Sequence, residues 1–167
     1  NYGNKECDFR YRHSTFKEHP ELVIIEVTLQ LTHGNAEQSR AQMDEFLAKR
    51  RAKQPLERPS AGCLFKNIEE RDLTTEQLDR LDATTNGEWR RVAHDGQIPS
   101  GWLVERAGCR GLRIGDAIVS EQHGNFVINL GIATAADVVA LSDTVRTRIR
   151  EQFGLDLHEE VQRMGFL

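Results

Sequence analysis

From Ile25 the chain alternates: Ile25, Val27, Leu29 and Leu31 fall on one side and Glu26, Thr28, Gln30 and Thr32 on the other, which predicts a half-buried strand over 22–32. Residues 5–12 are read as a second strand pairing with it. His33-Gly34 ends the alternation, and Asn35 with Gln38 has the form of a capping box. Met43, Phe46 and Leu47 then recur at helical spacing, predicting a helix over 36–52 that Pro55 and Pro59 stop. A turn follows at Ala61-Gly62-Cys63, and a strand begins at Leu64-Phe65.

Residues 68–97 are polar, with Leu78 and Leu81 behind Thr75. They predict a short helix in a surface excursion without assigned chemistry. Pro99-Ser100-Gly101 opens another short helix, closed by Gly108 as a left-handed cap. Ile118-Val119 and Phe126-Val127-Ile128 read as strands joined by a turn at Gly124-Asn125. Thr134 and Asp137 form a second capping box, after which Val138, Leu141, Val145 and Ile149 line one face of a helix to about Phe153. A last strand is expected from Leu155 to Met164. The predicted class is α+β: a mixed or antiparallel sheet with helices packed on one face.

At 167 residues, 38% apolar and 29% charged, the chain suits a soluble domain with one real core and room for a small second piece. It has no run of about 18 apolar residues and no leader pattern at its start, so the expectation is a cytoplasmic protein without a membrane partner. With 22 basic and 26 acidic residues and a net charge of −4, it offers no basic field for nucleic acid. Three cysteines without C-x-x-C spacing and six scattered histidines predict neither a disulfide framework nor a metal site. Gly108, Gly111 and Gly115 are spaced as turn formers, unlike a dinucleotide fingerprint.

Candidate chemistry concentrates in Pro59-Ser60-Ala61-Gly62-Cys63-Leu64-Phe65-Lys66-Asn67. Gly and Ala permit close approach to a ligand, Cys63 brings a dissociable proton, and Lys66 and Asn67 can grip anionic or amide groups. Taken alone, Cys63 reads equally as a buried structural thiol. The basic run Lys49-Arg50-Arg51-Ala52-Lys53 reads as a solvated helix end or as a phosphate contact. A cysteine hydrolase is a remote option, because no histidine is tied to Cys63 by a recognisable spacing.

Four segments in order resemble one family: Cys7 to Lys17, containing Tyr11-Arg12-His13-Ser14; the Cys63 segment; Gly101-Trp102-Leu103 through Ile114-Gly115 to Ser120-Glu121-Gln122-His123-Gly124-Asn125-Phe126; and Leu157-His158-Glu159-Glu160-Val161. The resemblance is to UDP-N-acetylenolpyruvoylglucosamine reductase, a flavoenzyme of peptidoglycan synthesis, and it touches nearly the whole chain except 68–97. It implies reduction of UDP-N-acetylglucosamine-enolpyruvate to UDP-N-acetylmuramate with NADPH through FAD.

Carried over residue by residue, the resemblance makes Arg12 the fixed cation, Cys63 the proton donor where most members carry serine, and Glu160 the carboxyl group that stabilises an enol. Lys53, Asn67, Tyr11 and Lys66 become substrate contacts, and His123 is left outside the catalytic set. Glu159 stands where the family usually has proline, Ile68 likewise, and Asp116 replaces a usual glycine; Asp116 would repel anions if it faced the cleft. In strand parity Leu155, Leu157, Glu159 and Val161 share a face, leaving Glu160 on the other. The passage from strand 22–32 into helix 36–52 leaves no space for a tyrosine-bearing loop, as in the shorter subtype.

The resemblance also implies that residues 1–34 are terminal strands of an FAD-binding domain and 35–167 a C-terminal substrate-binding domain. A chain so composed is expected to lack the flavin-binding glycines and to be inactive alone. The competing readings are a non-catalytic UDP-sugar-binding module and a related flavin oxidoreductase with another substrate.

Overall fold

The computed structural model describes residues 1–165. In chain order the elements are α1 (Thr15–Glu18), α2 (Ala36–Lys53), β1 (Ser60–Cys63), β2 (Ile68–Glu69), α3 (Thr75–Thr85), α4 (Trp89–Val92), β3 (Gln97–Ile98), α5 (Ser100–Arg106), β4 (Arg113–Ile114), β5 (Ala117–Val119), β6 (Phe126–Asn129) and α6 (Ala135–Phe153). Two compact units result, Asn1–Phe46 and Leu47–Leu167. Among the described residues no helix is long and apolar enough to cross a membrane, and no group of three or more His, Cys, Asp and Glu could hold a metal ion.

In the first unit neither expected strand forms. Residues 5–12 are bent by left-handed backbone at Asp8 and Arg12 (φ 44° and 51°), with the Glu6 and Cys7 N–H groups bonded back to the Gly3 carbonyl. Thr15 N–H then reaches the Cys7 carbonyl at 2.9 Å, and Tyr2 meets Phe16 edge-on with ring centroids 5.3 Å apart. Residues 22–32 carry no ladder, and Ile25, at 93% exposure, lies in solvent with Val27, Leu29 and Leu31. Alternation sorts side chains only once a neighbouring strand takes the backbone N–H and C=O groups, and no described residue pairs here. Helix α2 begins as expected, with Gln38 N–H donating to Asn35 Oδ1.

The second unit is built on an antiparallel sheet of order β1-β6-β5-β4, with α6 packed across β4 and β5 and against α3 and α5. This is the expected α+β arrangement. Both α3 and α6 start with complete capping boxes, Thr74–Gln77 and Thr134–Asp137, and end in left-handed caps at Asn86 and Gly154. Leu141, Val145, Ile149 and Phe153 are fully buried along one face of α6.

Three expectations change. Residues 68–97 carry a buried stripe: Leu81, Thr85 and Trp89 turn inward while most of the segment stays exposed or half-buried, with Thr85 Oγ1 donating to the Leu81 carbonyl and Trp89 Nε1 to Asp82. Polarity hid this because the buried polar atoms are satisfied locally. The strand near Cys63 precedes Leu64-Phe65, since Ser60–Cys63 pairs with β6 across an irregular register, with Gly62 at φ 90°. Residues 155–164 form one bridge, Phe65 to Glu159, and no strand: Leu155 and Leu157 turn inward to the core, and side-chain bonds to α6 take over where a ladder would continue.

Candidate active site

A cleft of about 340 Å³ lies in the second unit where the end of β1, the start of α5 and the β5–β6 turn meet, with Cys63, Asn67, Trp102, His123 and Asn125 in its lining. Glycines permit the approach. A Cβ on Gly101 would stand 3.1 Å from His123 Cε1, and one on Gly124 would stand 2.6 Å from the Gly101 carbonyl oxygen.

Asn125 holds the cleft together. Its buried side chain accepts from Phe65 N–H (2.9 Å) and donates to the Phe65 carbonyl (2.8 Å) and to Ser100 Oγ (3.0 Å), acting as a strand partner for the residue two after Cys63. Its backbone carbonyl takes the Leu64 N–H at 2.8 Å. Cys63, partly exposed at the end of β1, is thereby fixed at the cleft wall; Cys7 and Cys109 are buried, and burial pushes the Cys109 thiol up despite the opposing Arg148.

Asn67 lines the same cleft and also seats α5: its Oδ1 accepts from Ser100 N–H (3.2 Å) and its Nδ2 donates to Gln97 Oε1 (3.3 Å). Glu160 is not in the cleft lining, but its backbone is bonded beside the cleft wall, its N–H donating to the Leu64 carbonyl at 2.8 Å one residue from Cys63. Lys66 N–H donates to the His158 carbonyl (2.9 Å) in the same pairing, and Lys66 is not in the cleft lining. Lys53 is exposed at the end of α2, and Gln122 Nε2, from the cleft lining, donates to the carbonyls of Arg51 and Ala52 just before it. Arg12 and Tyr11 belong to the first unit, where the Arg12 guanidinium lies 5.6 Å over the Tyr11 ring and the Arg12 carbonyl accepts from Lys17. Arg12 is exposed in left-handed backbone, a conformation uncommon outside glycine.

The sequence reading passed over Gln122, Arg110 and Glu105 as cleft residues. Arg110 is paired to Glu105 at 2.6 Å. His123 faces the cleft as well: its Nδ1 accepts from Asn125 N–H at 3.2 Å, which places the proton of the neutral ring on Nε2. Burial lowers His123 below its ordinary 6.5, aided by the Arg110 charge and opposed by a backbone hydrogen bond and Glu105. Asp116 is absent from the cleft lining and accepts from Arg113 (2.6 Å) and from Ile132 N–H, so the condition under which it would repel anions is not met. Ile68 pairs with Ile98 across β2 and β3.

Residues 54–164 match the family described as UDP-N-acetylenolpyruvoylglucosamine reductase, C-terminal domain. A curated reductase of that name from Heliobacterium modesticaldum is 38% identical over 98% of this chain and 44% of its own length, and one from Solibacter usitatus is 30% identical over 98% and 50%. The crystal structure of the Thermus caldophilus reductase superposes with a TM-score of 0.67 at 31% identity, covering 96% of this chain and 47% of that one. The chain thus spans about half the length of the curated relatives it matches. It belongs to the UDP-N-acetylenolpyruvoylglucosamine reductase family, whose C-terminal domain it carries in residues 54–164.

Proposed function

We propose that this chain is the substrate side of a UDP-N-acetylenolpyruvoylglucosamine reductase, binding UDP-N-acetylglucosamine-enolpyruvate and delivering the proton that completes its reduction to UDP-N-acetylmuramate. The observation that supports this most is the convergence of Cys63 and Asn67 in one cleft with the Glu160 backbone bonded beside Cys63. Residues 1–34 are assigned to the flavin-binding part and 35–167 to the substrate-binding part.

The loop from β6 into α6 does not fit a dinucleotide. It has one glycine, and its N–H groups are occupied: Gly131 and Ala133 donate to Asn129 Oδ1, and Ile132 donates to Asp116. A pyrophosphate needs such groups open at a helix start. FAD is assigned mostly to the remainder of the enzyme, with NADPH as its reductant.

Reduction of the enolpyruvyl double bond builds negative charge on an enolate conjugated with the carboxylate. The Arg12 guanidinium suits that charge as a permanent planar cation, and Glu160 stabilises the enol. Cys63 Sγ–H gives its proton to the adjacent carbon as the new C–H bond forms, and the thiolate left behind is reprotonated from water. Lys53, Lys66, Asn67 and Tyr11 hold the phosphates, carboxylate and amide of the substrate.

In the flavin-loaded enzyme that carries this chain, Cys63→Ala should leave flavin reduction by NADPH unchanged and slow reoxidation by substrate roughly 100-fold. Cys63→Ser should recover most of that loss. Stopped-flow flavin absorbance separates the two half-reactions, and equal losses in both would reject the proton-donor role.

A further inference from the structure

Glu159 is anchored by its side chain on two sides. Its Oε1 accepts from Ser142 Oγ on α6 and from Arg163 Nη2 at 2.6 Å, and its Oε2 accepts from Arg163 Nε at 2.8 Å. That two-toothed pairing fixes orientation as well as distance. Arg146 reaches from α6 to the Leu157 carbonyl at 3.2 Å, and Asp143 stands 3.8 Å from Arg163. Ser142 is buried, and the Glu159 side chain is only 16% exposed.

The other side of the same residues meets the cleft wall. Lys66 N–H to the His158 carbonyl and Glu160 N–H to the Leu64 carbonyl make a two-bond pairing with the segment after Cys63, centred on the Phe65–Glu159 bridge. Extended backbone turns adjacent side chains to opposite faces. A carboxylate tied to α6 at position 159 therefore commits position 160 to the face away from α6. One bridge alone is a weak constraint: a slip of one residue would exchange the two glutamates.

We infer that Glu159, clamped between Ser142 and Arg163, is the positioning residue that sets the register of the last segment and so holds the Glu160 carboxyl group on the face away from α6. This rests on the assignment of Glu160 as the enol-stabilising group. Burial raises Glu159, but the hydrogen bonds from Arg163 and Ser142 and the charges of Arg163 and Arg146 outweigh it and hold its carboxyl below the usual 4.5, so the clamp is charged at neutral pH.

The test uses the flavin-loaded enzyme, its two half-reactions and its melting temperature. Glu159→Ala should slow reoxidation by substrate roughly 10- to 100-fold, the range that displacement by about 1 Å produces, with flavin reduction unchanged. Glu159→Gln keeps an acceptor for Ser142 and should lie between the two. Arg163→Lys, which loses the fork and keeps the charge, should reproduce part of the defect if Glu159→Ala does not fold. The deciding readout is coupling: Glu159→Ala added to Glu160→Gln should slow reoxidation no further than Glu160→Gln alone. Additive losses would overturn the inference and leave the role of Glu160 standing. Full reoxidation by Glu160→Gln would remove that role and the inference with it.

Discussion

Replacing Asn125 by alanine is the sharpest probe of how the cleft is held. Phe65 N–H, in a residue 2% exposed, loses its acceptor outright, at about 1–3 kcal/mol. The Phe65 carbonyl and Ser100 hydroxyl still have each other at 3.3 Å, so their two lost bonds cost only the net value, about 0.5–1.5 kcal/mol apiece. The expected loss is about 4 kcal/mol, or roughly 8–16 °C in melting temperature for a domain of this size. Urea unfolding followed by emission of the buried Trp89 reads it, with an unchanged denaturant slope as the sign that stability alone has moved.

Two companions make the argument specific. Alkylation of Cys63 by iodoacetamide should accelerate in Asn125→Ala, with buried Cys7 and Cys109 as internal references. Asn125→Asp keeps the acceptor for Phe65 N–H but sets an oxygen without a proton against the Phe65 carbonyl. Its deficit relative to the parent should shrink on acidification, as the protonated carboxyl recovers a donor. An Asn125→Ala variant within about 0.5 kcal/mol of the parent, with unaltered Cys63 reactivity, would refute the reasoning.

His123 has its folded value depressed below 6.5, so the unfolded chain binds more protons; the stability it contributes is complete above 6.5 and is lost as pH falls through the folded value. Urea midpoints between pH 8 and 5, measured at ~0.5 pH intervals, should therefore decline on acidification, and His123→Gln should flatten that decline in the window just below 6.5. Gly124→Ala places a Cβ 2.6 Å from the Gly101 carbonyl oxygen, which the backbone of α5 cannot yield, and should cost about 2–3 kcal/mol. Gly96→Ala, in open space at φ 70°, should cost only its backbone strain of about 1–2 kcal/mol; equal urea midpoints for the two variants would count against the clash.

Capped helices were legible in the sequence because their information is local. The Thr134–Asp137 box and the 3.6-residue stripe of α6 sit within one segment, and Gly108 takes the left-handed conformation its place after α5 demands. Strands were not, since a period of two names a face without naming a partner. Residues 22–32 show the better alternation and form nothing among the described residues, whereas Ser60–Cys63, with no such pattern, is paired by β6. The stripe from Leu81 to Trp89 was missed because Thr85 and Asp82 look solvent-facing until the carbonyl and indole that they serve are in view.

The site divides along the same line. Cys63 and Asn67 are four residues apart, and the small residues beside them advertise close approach, so one segment announces both. What fixes them is distant in the chain: Asn125 acts on Phe65 across 60 residues, and Gln122 holds the end of α2 across 70. No local pattern encodes a side-chain amide whose partner is a backbone group so far away, because any polar residue in a turn reads the same. The parity of Glu159 and Glu160 is the instructive intermediate. Alternation assigned opposite faces on the premise of a strand that does not form; in its place stand a single bridge at Glu159 and a side-chain anchor from Glu159 to Ser142 on α6, contacts that only the folded chain brings together.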